Sequence, residues 1–363
     1  MTAIELPKGP WVFGADATRH KGVMVGGAKL TVEEAISQGG LDWEVEGRDA
    51  QTADSDEIPA DGYKQVVRPI MRKVAAEDEA GNKLTKDAVG WQTSGTVKTR
   101  YRIVQNRAAF TFFDNATLEG AAIMRAVGHM DFGRVVWALA ERGDYECEVY
   151  PGDIIREHLC LYTSHDGRSS VTVRFLPYRI STNSVVAVGF GKTRKRNEIR
   201  IRHTKSAEER LATVHNLLVA DENYWKKWRA TLVGDPETGQ DGLKQRLVTD
   251  DEVEKVVAAL FPAKKKKDPE TGEVFEELST KAVNARAMIR QRVEQQTEHA
   301  KKCYEQAGQE PPTGTTALDV FLGVTEFTTN DRKTRKDGNA FIANTFGSSA
   351  DMRQKAFDVL CGL

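Results

Sequence analysis

Arginine and lysine side chains recur at alternate positions in two segments, a spacing that could hold an extended anion. Arg100 and Arg102 alternate with apolar residues in one predicted strand, Lys98–Val104, and Arg200 and Arg202 do so in another. Alternate side chains of a strand share one face, so each pair would present two cations together. A basic arm before the second strand adds four more cations, which are Lys192, Arg194, Lys195 and Arg196. These eight residues form the predicted nucleic-acid-binding site, because such cations neutralise backbone phosphates.

Aromatic residues lie near the basic segments, where they could stack on bases. They are Tyr162, Tyr178, Phe190, Tyr224, Trp225 and Trp228. Cations along the backbone and aromatic faces against the bases are typical of single-strand binding. The sequence shows no helix-turn-helix or zinc-finger pattern, which favours a single strand over a duplex as the ligand. The sequence leaves the alternative open that the aromatic residues are core and the arginines are solvated.

One cluster of residue types could ligate a metal ion for nuclease chemistry. His165 and Asp166 lie close in sequence to Glu157 and His158. Imidazole and carboxylate groups are common metal ligands, but this spacing matches no common ligand motif. A turn at Asp166-Gly167 already accounts for the aspartate, because both residue types tolerate the backbone of a tight turn.

A second segment, Gly189 to Thr193, ends like a phosphate-binding loop. A complete loop of that kind needs another glycine, and Val186 stands at its position. The residues that follow read as loop and strand, whereas phosphate binding there requires the start of a helix. Serine-hydrolase and zinc-hydrolase motifs are also missing from the sequence. We therefore predict no catalytic residue, no metal site and no cofactor.

Composition excludes several classes of protein. The 363 residues include 52 Lys and Arg against 53 Asp and Glu, and 40% of the residues are hydrophobic. That hydrophobic content with almost no net charge excludes a disordered chain. Apolar runs stay shorter than the roughly 18 residues that a membrane span needs, and the N-terminus has no secretory pattern. Four scattered cysteines without a CxxC pair predict reduced thiols, and we expect a cytoplasmic protein.

The hydrophobic periodicity predicts an α+β fold. Apolar residues alternate with polar ones through most of the segment from Trp91 to about His203, which indicates consecutive antiparallel strands. Asp166-Gly167 between two such runs predicts a hairpin. Helical periodicity dominates afterwards, with the longest helix predicted from about Ser279 to Gln306. The predicted architecture is an antiparallel sheet core with packed helices and a mainly helical C-terminal part.

Three regions follow from this pattern. Residues 1–62 are predicted to be loosely structured, with a short helix after Thr31, a strand at 41–45 and a loop at 46–62. Residues 63–232 are the predicted α+β core that carries the binding site. Residues 233–363 are the predicted helical region, with mobile loops. One of these loops, 262–273, contains the four consecutive lysines Lys264 to Lys267.

Several sequence motifs together resemble a known family. They include PWVFG at 10–14, LTVEEAISQGGLDWEVE at 30–46, VKTRYRIVQNRAAFTFFD at 97–114, GRVVWALAE at 133–141, LYTSHDGRSSVTVRFLPYRISTNS at 161–184 and IRIRHTKSAEERL at 199–211. With them, about Gly9 to Leu360 resembles the phage/plasmid-like protein family of unknown function, found in phages, prophages and conjugative plasmids. Residues 178–184 lack the cysteine that relatives carry, which argues against an indispensable catalytic thiol there.

The resemblance implies a gene of a phage or another mobile element, expressed in the cytoplasm of a host bacterium. It carries no activity that can be transferred residue by residue. The predicted architecture and charge are similar to those of phage single-strand annealing proteins, which work without ATP and form rings or filaments. Our leading hypothesis is a phage homo-oligomer that binds single-stranded DNA and anneals complementary strands in recombination. A phage exonuclease and a host single-strand-binding protein are the expected further partners.

Two alternatives remain open from the sequence alone. The segment 42–61 is rich in carboxylates and contains one arginine, a composition suited to a phage host-interaction or anti-defence protein. A metal-dependent nuclease using His165 and Asp166 is the other alternative. The sequence also leaves open whether the lysines at 264–267 contact nucleic acid.

Overall fold

The structure is a computed structural model that describes most of the chain. The described residues are 21–24, 31–52, 55–77, 83–111, 113, 122–182, 184–190, 198–207, 209–210, 221–332 and 347–362. Within these ranges lie twelve strands and seven α-helices. The sheets are antiparallel and most helices are in the C-terminal part, which confirms the predicted α+β fold.

Strands dominate the chain up to Ile201, and helices dominate after it. The first elements are β1 Lys21–Met24, α1 Val32–Gly39, β2 Glu46–Thr52, β3 Ser55–Glu77, β4 Lys83–Lys98, α2 Asn106–Phe110, β5 Ile123–Met130, β6 Val135–Tyr150, β7 Asp153–Ser164, β8 Val171–Arg179, β9 Ser184–Val185 and β10 Glu198–Ile201. The later elements are α3 Asp221–Val233, α4 Asp250–Leu260, β11 Lys264–Lys267, β12 Val274–Glu277, α5 Thr280–Gln306, α6 Ala317–Glu326, a π-helix Phe327–Asp331 and α7 Ser348–Gly362.

The largest sheet in the described part has seven strands. Its order is β1-β5-β6-β7-β8-β10, and β9 pairs with β8. The main apolar core joins strands of this sheet to the helices, with Trp228, Phe321 and Phe357 among its buried side chains. A second buried cluster includes Trp137 and Tyr178. Among the described residues, no helix combines the length and apolar composition needed to cross a membrane.

A smaller sheet has the order β2-β3-β4, so the predicted loop at 46–62 is wrong. Glu46 faces Val67 across the β2–β3 pairing, and Arg48 faces Gln65. Residues 46–49 of β2 are all exposed, so no apolar alternation marks this strand in the sequence. What makes this segment a strand is its pairing with β3 of the long β3–β4 hairpin, and that pairing forms only in the folded chain.

The predicted strand at 41–45 is also wrong, although its burial pattern is that of a strand edge. Leu41 and Val45 are buried, but the segment has no strand partner within the described residues. The amide side chain of Gln105 takes the place of that partner. Its Oε1 accepts a hydrogen bond from Val45 N at 3.0 Å, and its Nε2 donates to Val45 O at 2.8 Å.

The long C-terminal helix begins and ends as predicted. The hydroxyl of Ser279 accepts a hydrogen bond from Ala282 N at 3.2 Å and caps the start of α5. The helix ends at Gln306, and Gly308 follows with a φ of +68°. The serine satisfies a backbone donor that the first turn leaves free, and the glycine tolerates the left-handed backbone after the end.

The predicted loop at 262–273 is wrong in part, because Lys264 to Lys267 form strand β11. This strand pairs with β12, and Lys264 faces Glu277. The four lysines are all exposed, so the sequence has no alternation of apolar and polar residues that would predict this strand. The connecting DPETG turn repeats the one at 235–239: Asp235 and Asp268 each accept hydrogen bonds from the backbone two residues ahead.

A buried polar network joins the large sheet to the C-terminal helices. Arg179 at the end of β8 is fully buried, and its Nε donates to Asp153 Oδ2 at 3.0 Å. Its Nη1 donates to Gln296 Oε1 on α5 at 2.6 Å and to Glu326 Oε1 on α6 at 3.3 Å. One guanidinium therefore pairs with two buried carboxylates from different elements, which fixes the helices against the sheet.

Removing this guanidinium should be much more damaging than removing a neighbouring exposed one. We expect Arg179→Ala to lower the free energy of unfolding by about 3–5 kcal/mol, because Asp153 and Glu326 stay buried and both lose the guanidinium that they share. Arg290→Ala is the control: its side chain on α5 is 46% exposed and pairs with Glu254, outside the network. The control should lose about 1 kcal/mol in denaturant unfolding. Equal losses in the two variants would contradict the role given to the network.

Candidate nucleic-acid interface

A concave surface of about 570 Å³ lies where three separate segments meet, and we call it the basic groove. The first segment is the open end of the β3–β4 hairpin, opposite its turn, with the residues that follow β4. The other two are the loop between β7 and β8 and the residues just after β10. Their cations at the groove are Lys98, Arg100, Arg168 and Arg202. Tyr63, 47% exposed, is an aromatic residue of the lining.

The charge of the basic groove is positive. Lys98, Arg100, Arg168 and Arg202 are all exposed. Asp166 is the carboxylate among the described lining residues, and its side chain is only 12% exposed. Its Oδ2 lies 3.7 Å from Arg168 Nε, and its Oδ1 accepts a hydrogen bond from Arg168 N at 2.9 Å. The four cations therefore exceed the carboxylate charge, which favours an anionic ligand.

The floor of the basic groove is built by Tyr101 and His203. Their rings stack with centroids 4.7 Å apart, and Tyr101 Oη donates to Ser164 O at 3.0 Å. The backbone of Arg102 is joined to His203, since Arg102 N donates to His203 O at 3.3 Å. Burial lowers the pKa of His203, which keeps the ring neutral near pH 7. These contacts place Arg100 at the same groove as Arg168 and Arg202, which are distant from it in the sequence.

Two glycines let the β7–β8 loop lie directly against β4. A Cβ on Gly95 would lie 2.8 Å from Asp166 Cα, a distance that real Cβ contacts do not show. Gly167 has a φ of +75°, and a Cβ there would lie 2.7 Å from Val97 Cγ1. The predicted hairpin is thus confirmed, with Tyr162 of β7 facing Thr172 of β8. Its tip carries Arg168 to the groove.

The structure brings together two of the eight predicted cations, Arg100 and Arg202. Arg102 is exposed next to the lining, held by its backbone pairing with His203. Arg200 is exposed, but its Nη2 lies 2.8 Å from Glu198 Oε1, and it does not line the groove. The other four, Lys192, Arg194, Lys195 and Arg196, lie outside the described residues.

The predicted strand at 98–104 is wrong beyond its first residue. β4 ends at Lys98, where Tyr101 N donates to Lys98 O in a turn. Arg100 lies in that turn and Arg102 in the extended segment after it, so they do not share a strand face. The last backbone hydrogen bond toward β3 runs from Thr99 N to Gly62 O at 3.1 Å, and no further strand partner follows in the described part.

Sequence reasoning missed Tyr63, Lys98 and Arg168 as groove residues. Arg168 follows a predicted Asp-Gly turn, so its exposure at a hairpin tip could have been inferred. Tyr63 and Lys98 face each other across the β3–β4 pairing, 35 positions apart in the chain. No local pattern marks such a pair, because it depends on the register of a long hairpin.

Most of the aromatic residues predicted for stacking are core. Tyr178, Tyr224, Trp225 and Trp228 are buried, and Tyr162 and Phe190 are partly buried. The rings of Trp225 and Trp228 stack on each other with centroids 4.9 Å apart. Trp228 Nε1 donates to Val186 O at 3.3 Å. The alternative that these rings belong to the core is therefore confirmed.

The structure does not group His165 and Asp166 with other potential metal ligands among the described residues. His165 is fully buried, and its Nε2 lies 2.8 Å from Asn106 Oδ1. Burial lowers the pKa of His165 to about 3 and that of His158 to about 4. Among the described residues, no group of three or more His, Cys, Asp and Glu could hold a metal ion.

The fold and the basic groove define an α+β protein with a positively charged surface at the edge of an antiparallel sheet. The chain belongs to the DUF932 family, a domain of unknown function whose family model matches residues 94–345. The match covers more than two thirds of the chain and includes the four groove cations. No curated protein and no solved structure matches the chain.

The close approach at Gly95 gives a structural prediction. Gly95→Ala should displace the β7–β8 loop and lower the free energy of unfolding by about 1–3 kcal/mol, because the new methyl group meets backbone. Gly143→Ala is the matched control, since a Cβ there meets no atom within 4 Å. Denaturant unfolding measures both variants. A neutral Gly95→Ala would show that the loop does not pack on β4.

The buried histidines predict early acid destabilisation. An unfolded histidine titrates near pH 6.5, whereas the folded pKa of His165 is about 3. The unfolded chain therefore binds protons that the folded chain does not, so stability is complete above about pH 6.5 and falls as the pH drops toward the folded pKa. Between about pH 7.5 and 5, we expect a loss of about 1–2 kcal/mol for each such histidine. His165→Gln, which cannot take the proton, should reduce this loss in denaturant unfolding, and an unchanged loss would contradict it.

Proposed function

We propose that this protein binds single-stranded DNA in the basic groove and anneals complementary strands without ATP. The observation that carries the proposal is the convergence of Lys98, Arg100, Arg168 and Arg202 on one groove. They come from three separate segments of the chain, and the groove's carboxylate, Asp166, is mostly buried beside Arg168. A surface of this kind attracts a polyanion even when the whole protein is close to neutral.

Binding in this proposal is electrostatic and makes or breaks no covalent bond. The four cations neutralise successive phosphates, and the exposed ring of Tyr63 offers a face on which a base can stack. Phosphate contacts carry no sequence information, so the protein binds many sequences and leaves base edges free to pair. The basic arm that contains Lys192 to Arg196 precedes β10 in the sequence, and its cations are further candidates for phosphate contacts in this proposal.

The biological setting is part of the proposal. The protein acts in the cytoplasm of a host bacterium as a phage recombination protein, which is what the phage/plasmid-like resemblance suggests. Self-association would align many short grooves along one strand and make binding cooperative. A phage exonuclease would supply single strands, and a host single-strand-binding protein would compete for them.

Charge reversal at two groove arginines should weaken binding of a fluorescent oligothymidine and flatten its salt dependence. Four phosphate contacts predict a slope of log K against log salt of about −3, and Arg100→Glu with Arg202→Glu should reduce it to about −1. Arg200→Glu alone should have a smaller effect, because Arg200 already pairs with Glu198. Fluorescence anisotropy at several salt concentrations measures all variants.

The control makes the same charge change outside the basic groove. Lys301→Glu with Lys302→Glu alters two exposed lysines on α5 that pair with Glu305 and Glu298. This variant should bind like the unchanged protein. Retained affinity in the groove double variant would place the site elsewhere, and no binding at low salt would end the nucleic-acid proposal.

Annealing is tested separately from binding. A complementary strand added to the complex should pair faster than in free solution, without ATP and with a chelator present. Cleavage of the oligonucleotide on addition of Mg²⁺ would instead favour a metal-dependent nuclease.

A host-interaction or anti-defence protein is the second candidate function. The observation that favours it is the exposure of Asp42, Glu44, Asp49 and Asp61 around the β2–β3 hairpin. An acidic surface of this kind could bind a basic face of a bacterial enzyme. A pull-down from host lysate treated with nuclease would test it, and one stoichiometric partner lost on charge reversal of Asp42 and Glu44 would support it.

A further inference from the structure

The two-stranded sheet of β11 and β12, which we call the lysine ribbon, is exposed on both faces. All eight of its strand residues are exposed, including Val274 at 66% and Phe275 at 45%. In the described part of the chain no third strand pairs with either edge. An isolated two-stranded ribbon is marginally stable in water, so a partner strand would add hydrogen bonds and cover apolar surface.

The lysine ribbon is held in shape before any partner arrives. In its turn, Asp268 Oδ1 accepts hydrogen bonds from Glu270 N at 2.8 Å and Thr271 N at 3.0 Å. Gly272 follows with a φ of +74°, and Lys266 forms an ion pair with Glu277 across the strands. A partner strand therefore meets an ordered edge and does not have to order it.

Nucleic acid is a poor match for the lysine ribbon despite its four lysines. The segment 264–277 also contains five carboxylates, which are Asp268, Glu270, Glu273, Glu276 and Glu277. Its charge is therefore balanced overall and divided between its two strands. β11 is all lysine, whereas β12 reads Val-Phe-Glu-Glu.

This division makes the two edges complementary to each other. A lysine edge repels another lysine edge, and lysines commonly prevent such pairing in natural sheets. An edge with two glutamates repels its own kind in the same way. The arrangement that satisfies both edges is β11 of one chain beside β12 of another.

We propose that the lysine ribbon joins copies of this protein head to tail, with β11 of one copy paired to β12 of the next. β11 and β12 are antiparallel within one copy. When neighbouring copies have the same orientation, β12 of one copy is therefore also antiparallel to β11 of the next. Each contact then continues the ribbon as an antiparallel sheet. The two surfaces differ, so the contact repeats and generates a ring or a filament. It would align the basic grooves of the proposed function, but the inference itself does not require nucleic acid.

Each contact involves only four residues per strand, so it should be weak and sensitive to salt. Opposite charges at exposed edges are screened as salt rises. Sedimentation of the full chain without DNA should therefore show association that grows with protein concentration and decreases with salt. A protein that stays monomeric at the highest concentration and lowest salt would overturn the proposal.

Charge exchange between the two edges tests the pairing directly. Variant one carries Lys265→Glu and Lys266→Glu, and variant two carries Glu276→Lys and Glu277→Lys. Each alone should associate at least tenfold more weakly, because like charges then face each other. A mixture of the two should associate again, since the edge of each now complements the other, and a chain with all four changes should associate alone.

The mixture separates loss of the interface from loss of the ribbon. A ribbon that simply unfolds in either variant would not be restored by mixing, so restored association can come only from the interface. The chain with all four changes keeps opposite charges across its own ribbon. If that chain and the mixture both stay monomeric, the proposal is overturned. Unchanged association of either variant alone does the same. Each variant is also titrated with oligothymidine, because retained DNA binding in a monomeric variant distinguishes failure of this interface from failure of the proposed function.

Discussion

The register between β7 and β8 fixes the polar systems at both ends of this strand pair. At one end Ile155 faces Arg179, which places the guanidinium inside the protein against Asp153 and the C-terminal helices. At the other end Tyr162 faces Thr172, and the connecting loop lies on β4 with Arg168 at the groove. A shift by one residue would reverse the faces of β8. The buried guanidinium and the groove loop therefore depend on one pairing.

The two systems use cations in opposite ways. Arg179 is fully buried, and its charge is matched by carboxylates, so it stabilises the packing of helices on the sheet. The groove cations are exposed and face little negative charge, so their attraction remains available to a ligand. A net charge of −1 is consistent with both, because paired charges cancel and carboxylates elsewhere in the chain offset one locally basic surface. The lysine ribbon shows a third arrangement, in which opposite charges are divided between two free edges.

Prediction from the sequence succeeded where a pattern is local and is reinforced by burial. The capped α5 helix and the β7–β8 hairpin are examples, because Ser279 and Gly167 act on backbone within a few residues. It failed where a strand has exposed side chains or an unusual partner. Residues 46–49 of β2 and all of β11 are exposed and lack apolar alternation, and the segment at 41–45 is held by the side chain of Gln105. Such elements are defined by their partners and not by their own periodicity.

The sequence by itself determined the α+β class, the long C-terminal helix and the high density of cations between Lys192 and Arg202. These depend on residue type and short-range spacing, which any reader of the chain can count. Only the tertiary structure decided which cations meet. It joined Arg100 to Arg202 and added Lys98 and Arg168, while Arg200 was left paired to Glu198. The reason is physical: a groove is made by loops whose positions follow from strand register and close packing at Gly95, and both are long-range properties of the folded chain.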